Sequence, residues 1–218
     1  MEIKNKTDLC FFLKADLMMN RGVFCKPLGC RIKELISKDI IIDYLVTLRK
    51  YEYYLSRYQN AFSGVKTLYF YFFYMLYKRR WLKLGIKTGF SIGPYCFGYG
   101  LVLQHHGTIV VGNDNRIGNF CNINTSTCIV QNGSSIGNFF FMGTGAVITK
   151  NVVLGDNVLL GANSVLSNSY NNDNILLAGS PALVKKELSG NWCSSLYGPS
   201  WKKRMEEVQK LYQKTYER

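Results

Sequence analysis

The chain is 218 residues long and carries 27 Lys and Arg against 14 Asp and Glu, a formal charge of +13, while 47% of its residues are hydrophobic. That apolar content suffices for the core of one domain plus an appendage and excludes a disordered chain. The charge suggests a polyanionic partner, yet residues 85–180 are neutral and hold most of the 20 glycines; the cations belong to the flanks, no nucleic-acid-reading module is among them, and nucleic acid is not an expected partner.

In chain order, the start MEIKNKTDLC lacks the apolar segment of a secretory signal, and residues 1–39 read as helix and loop. Residues 40–84 are apolar all round and free of Pro, which predicts two helices joined near Ser63-Gly64, the second ending at Gly85. The longest apolar run, Leu68 to Tyr77, is 10 residues, about half of a membrane span. Beside it, Lys78, Arg79, Arg80 and Lys83 could meet anionic lipid or solubilise an assembly, while Tyr69, Phe70, Tyr71, Phe72, Phe73 and Tyr74 pack against the main domain or a partner subunit.

From Val111 a six-residue period sets in: Val111, Ile117, Ile123, Ile129, then after one inserted residue Ile136, Met142, Ile148, Leu154, Leu160 and Leu166. Small or compact residues stand two places before most of them (Cys121, Thr127, Ser134, Ala146, Val152, Val158, Ser164), and Gly follows six of the ten. A helix would repeat near every 3.6 residues and would not carry this much glycine. The hexads predict a parallel β-helix, a triangular prism of short strands with the aliphatic residues stacked inside and Gly or Asn taking the corner angles that branched residues resist. Ile92 to Val110 reads as a first coil with a distorted corner bearing His105 and His106. Trp201 to Tyr216 reads as a charged amphipathic helix.

The seven cysteines, Cys10, Cys25, Cys30, Cys96, Cys121, Cys128 and Cys193, form no CxxC pair and read as buried, reduced thiols. Two adjacent histidines without spaced Cys or His ligands make a metal site unexpected.

Hexads preceded by LQHHGTIVVG and followed by AGSPA resemble the left-handed β-helix acyltransferases, and GFSIGPYCFGYGLVLQHHGTIVVG is similar to the serine acetyltransferase group and to O-acetyltransferases of bacterial surface polysaccharides. The resemblance spans about residues 82–184. It implies a mainly β fold, a left-handed parallel β-helix at 85–182 between a helical region at 1–84 and a helical tail at 183–218. It also implies a cytoplasmic homotrimer using acetyl-CoA and no metal; the basic N-terminal helices add an expected peripheral contact with the inner membrane face. By the family's L-x-H-x-x-x-I-V-V pattern, matched here by Leu103, His105, Ile109, Val110 and Val111, His105 is the catalytic base. Such a base suits an alcohol, which attacks a thioester poorly unless its proton is removed. The alternative for His105 is a corner histidine bonded to a carbonyl. In that family coenzyme A lies between neighbouring prisms, which points to Gly143, Ala146, Gly161, Ala162, Gly179 and Pro181, all equally explicable as β-helix turns. Lys185 and Lys186 would face its phosphates or simply be solvated. Gln104 stands where serine acetyltransferases have Asp, and a second, later histidine is missing. The expected acceptor is therefore a sugar hydroxyl of a surface-polysaccharide precursor, with serine, or a non-catalytic binding subunit, as alternatives.

Overall fold

The computed structural model describes residues 2–24, 39–62 and 64–217. Part of the stretch read as helix and loop at 1–39, with Cys25 and Cys30, lies outside them. Three helices come first: α1 (Lys6–Arg21), α2 (Ile40–Gln59) and α3 (Gly64–Thr88). Asn5 accepts from the Asp8 N–H while the Asp8 carboxylate accepts from the Asn5 N–H, so both orphan donors at the start of α1 are satisfied. Asp39 caps α2 one way only, its carboxylate accepting from the Ile42 N–H.

The helices α2 and α3 lie antiparallel, held by stacked rings: Tyr58 on Tyr74, Tyr54 on Tyr77, and Tyr51 on both Tyr74 and Trp81. The aromatic run thus packs in part on its neighbouring helix. The second helix does not end at Gly85 as expected but continues to Thr88, where Gly89 with φ +83° terminates it. Gly85 has a different purpose: a Cβ there would sit 2.6 Å from the Phe90 carbonyl oxygen, so glycine lets the helix lie against the first strand.

Fourteen short strands follow in three columns. The first face holds β1 (Phe90–Ile92), β3 (Ile109–Val111), β6 (Thr127–Ile129), β9 (Val147–Ile148) and β12 (Val165–Leu166). The second holds β4 (Arg116–Ile117), β7 (Ser135–Ile136) and β10 (Val153–Leu154). The third holds β2 (Val102–Leu103), β5 (Asn122–Ile123), β8 (Phe141–Met142), β11 (Val158–Leu160) and β13 (Ile175–Gly179), closed by β14 (Ala182–Glu187). Every pairing is parallel except β13 with β14. The result is a β-helix of about five coils. All ten hexad positions are buried, and Val111 stacks on Ile129, Ile148 and Leu166 in register, as Ile123 does on Met142 and Leu160.

The corners correct one expectation. The glycines that follow the hexad aliphatics, Gly112, Gly118, Gly137, Gly143, Gly155 and Gly161, do not occupy left-handed backbone angles. They are there because the next coil leaves no room: a Cβ on Gly118 would lie 2.7 Å from Asn138 Oδ1, on Gly137 2.3 Å from Asp156 Oδ1, and on Gly155 2.4 Å from Asp173 Oδ1. Those side chains form a ladder, each accepting from the backbone N–H one coil below, with Asn119 receiving Tyr99, Asn138 receiving Asn119, Asp156 receiving Asn138 and Asp173 receiving Asp156. Left-handed angles fall instead on Asn132, Asn151, Asn157 and Asn163, which tolerate them, and also on Phe120 and Phe139.

After β14 come α4 (Trp192–Ser195) and α5 (Pro199–Tyr216). The stretch 183–187, read as part of a helical tail, is therefore strand. Trp192 is wholly buried and donates its indole N–H to the Phe120 carbonyl, and α5 packs against α1 across the outer side of the third face.

The open edge of the first coil is covered by a buried polar cluster from the helices. Arg49 of α2 donates to the carbonyls of Phe97 and Gly98 and to the carboxylates of Asp16 and Glu52. Asp16 of α1 accepts from the N–H groups of Gly100 and Leu101, Glu52 accepts from that of Tyr95, and Asn20 bridges the Leu101 carbonyl and the Leu103 N–H. These are the groups that a coil above would have paired. Burial raises both carboxyls above their ordinary values against the opposing pull of Arg49 and the N–H donors, and the Asp16 charge raises Glu52 further. Burial acts to lower the Arg49 guanidinium, but the two carboxylates hold it above its ordinary range.

Candidate functional site

The corner between the third and first faces gathers most of the residues singled out in the sequence. Six positions separate Ile123 from Ile129, Met142 from Ile148 and Leu160 from Leu166, whereas eight separate Leu103 from Val111. The two extra residues make the first coil bulge outward at His105 and His106, both of which are exposed. The distorted corner is therefore a two-residue insertion in an otherwise regular column.

The bulge is seated from behind. The Gly107 N–H donates to the Thr88 carbonyl at the end of α3, and the Ile109 N–H donates to Gly89. A Cβ on Gly89 would lie 2.7 Å from the Gly107 oxygen, so two glycines are needed for helix and loop to meet. On the other side Asn20 grips β2 immediately before the loop. None of Thr88, Asn20 or Asp16 was singled out in the sequence. The available signal was a polar residue on an otherwise apolar helix face, as in CFFLKADLMMN.

Registers carry the corner down the prism. Leu103 aligns with Ile123, Met142, Leu160 and Leu177, so the residues beyond them, His105, Thr125, Thr144, Ala162 and Gly179, fall in one column. Thr144, Ala162 and Gly179 are exposed along it. The backbone N–H groups of Thr144 and Ala162 have no hydrogen-bond partner among the described residues. Gly143 and Gly161 flank the column, and coil stacking explains both: a Cβ on Gly143 would meet the Ala162 nitrogen at 2.6 Å and one on Gly161 the Ala178 Cβ at 3.1 Å. Ala146 is different. Its methyl is wholly buried in the prism, so it lies inside the corner and not on its surface. Pro181 is exposed in the turn between β13 and β14, after a cis Ser180–Pro181 bond. Lys185 and Lys186 are exposed on β14, which runs back along the third face with Lys186 opposite Leu176, so they are set away from the column.

The corner segments 104–108, 124–126, 143–146, 161–164 and 178–181 contain no charged side chain. Neither histidine has a hydrogen-bond or ionic partner among the described residues, and the Gln104 amide nitrogen is buried and unpaired. The carbonyl-bonded corner histidine is thus not what is seen. No cysteine stands in the column. Cys96, Cys121 and Cys193 are buried, and burial pushes the Cys96 and Cys193 thiols up to about 12 and the Cys121 thiol well above its ordinary value; a protonated thiol is a poor nucleophile. Cys10 is exposed and Cys128 half-buried, so not every thiol is interior as expected. No group of three or more His, Cys, Asp or Glu residues that could hold a metal occurs among the described residues. No helix among them is long and apolar enough to cross a membrane.

Fold and corner together define a hexapeptide-repeat β-helix with a single protruding histidine loop at the helical end. No protein-family model matches the chain, and no curated protein matches it. Solved structures do. The serine acetyltransferase of Neisseria gonorrhoeae superposes with a TM-score of 0.61 at 20% identity, covering 86% of this chain and 70% of that one. Soybean serine acetyltransferase complexed with serine gives 0.61 at 20%, covering 82% and 70%. The Brucella abortus serine acetyltransferase in complex with coenzyme A gives 0.54 at 17%, covering 84% and 68%. The chain has the left-handed parallel β-helix fold of these proteins.

Proposed function

We propose that the chain is an acetyl-CoA-dependent O-acetyltransferase with His105 as its general base. The observation that carries this is the column that begins at the His105 bulge and continues through Thr144, Ala162 and Gly179. Small side chains leave room for an extended thioester there, and the free N–H groups of Thr144 and Ala162 would meet its amide carbonyls. A corner is open on one side, so a second prism must supply the other wall, which supports a homotrimer. His105 takes the proton from the acceptor hydroxyl as that oxygen bonds to the thioester carbonyl carbon. When the carbon–sulfur bond breaks, the imidazolium returns the proton to the leaving sulfur. The uncharged surroundings favour direct transfer aided by alignment of the two reactants.

For the acceptor, the solved neighbours favour L-serine, one of them being complexed with it. That reading is better supported than the sugar hydroxyl expected from the sequence. One observation keeps the second reading in view: the corner segments themselves carry no carboxylate for an amino acid's ammonium, and Gln104 precedes His105. Release of free thiol from acetyl-CoA is the assay. With L-serine as acceptor, turnover is expected; turnover with sugars alone would reassign the acceptor to a glycan. His105→Ala should lower the rate by about 10²- to 10⁴-fold with the fold intact, and unchanged activity would remove His105 from the mechanism. Absence of any heat on titrating coenzyme A would point to the non-catalytic binding subunit.

A further inference from the structure

One face of α3 meets the prism and α2, and the opposite face meets nothing among the described residues. Val65, Leu68, Phe72, Met75, Leu82 and Ile86 recur at spacings of three and four, interrupted only at Arg79, and all are exposed, Val65 by 85%, Leu68 by 68%, Phe72 by 63% and Ile86 by 86%. Tyr69 and Leu76 widen the stripe, and Phe62, just before the helix, is fully exposed. An unpartnered apolar band of this length marks an interaction surface.

Charge identifies what covers it. From Tyr53 to Asn113 the chain has no Asp or Glu, while α3 alone carries Lys66, Lys78, Arg79, Arg80, Lys83 and Lys87. Arg80 pairs with Asp43 of α2 and Lys78 donates to Tyr74, but Lys66, Arg79, Lys83 and Lys87 have no partner among the described residues. Arg79 lies within the stripe itself and Lys83 at its edge. A second copy of α3 would bring the same cations and no anion, burying unpaired charge in the seam. An anionic bilayer surface takes both features: the apolar band enters the acyl boundary, aromatic rings sit at the interface, and long basic side chains reach the headgroups.

We propose that the outer face of α3 docks the protein on anionic phospholipid membranes. The inference does not rest on the acetyl-transfer reading, since it uses none of the corner residues. It does set the histidine loop beside the bilayer, because Thr88 at the end of the same helix holds Gly107.

Co-sedimentation of the full chain with phosphatidylcholine vesicles, with and without phosphatidylserine, tests this. Binding is expected on the anionic vesicles and should weaken at least about tenfold on neutral ones or in high salt. Lys83→Glu with Lys87→Glu, and separately Leu68→Glu with Phe72→Glu, should each lower anionic-vesicle binding by at least about tenfold. Because these side chains are exposed, the circular dichroism and melting temperature should stay unchanged, as should acetyl transfer to a soluble acceptor. Absence of binding to anionic vesicles, or binding indifferent to lipid charge, would overturn the proposal. So would sedimentation velocity showing that Leu68→Glu with Phe72→Glu dissolves an assembly of the chain while vesicle binding persists, which would give the face to a second copy.

Discussion

At the scale of single residues, identity alone does not say what a side chain is for. The corner asparagines look alike in the sequence, yet Asn119 and Asn138 are rungs of a hydrogen-bonded ladder while Asn157 and Asn163 adopt left-handed angles. The cysteines divide as sharply. Cys96 and Cys193 are buried with thiols pushed up to about 12 from an ordinary 9.0. The native state therefore keeps these protons where the unfolded chain gives them up, so stability is full below about pH 9 and falls as pH rises through the window from 9 to 12. At pH 10 each thiol should subtract about 1.4 kcal/mol. Urea unfolding between pH 8 and pH 11 measures the slope, and Cys96→Ala should reduce it; a slope unaffected by that change would contradict the assignment.

At the scale of elements, the coil is the repeating unit and glycine sets its pitch. Gly137→Ala places a Cβ 2.3 Å from Asp156 Oδ1 and 2.5 Å from the Gly155 oxygen. It should cost about 1–3 kcal/mol by overpacking. Gly64→Ala is the control: nothing lies within 4 Å of its Cβ and the residue starts a helix, so stability should hold or rise by up to about 1 kcal/mol. Chemical denaturation of the two variants separates a packing role from general intolerance of substitution at glycine. The hexads were legible because a period of six puts the same side chain inside at every face. The helix terminus was misplaced because Gly85 looks like a stop signal but is buried against β1, a contact that local sequence does not encode.

At the scale of the molecule, a β-helix has two ends, and each needs a cover for unpaired backbone groups. Here the helical region caps one end through Arg49, Asp16, Glu52 and Asn20, and the same contacts position β2 and the histidine loop. Arg49→Ala would leave two buried carboxylates without a countercharge and two carbonyls without a donor, a loss of about 3–5 kcal/mol. Thermal unfolding should show it as a drop of about 6–20 °C, and a variant as stable as the parent would mean that the cap is dispensable. Arg49→Lys should recover only part, since an ammonium cannot span the fork of four acceptors.

By itself the sequence determined the prism, the distorted corner with its two histidines and the neutrality of the core, because each is written as a short-range repeat or a local break in one. Only the tertiary structure decided which residues share the corner column, why Ala146 lies inside it while Lys185 and Lys186 stand apart, and how α1, α2 and α3 hold the loop. Those relations join residues far apart in the chain by register, close backbone approach and buried hydrogen bonds. Periodicity carries no record of such contacts.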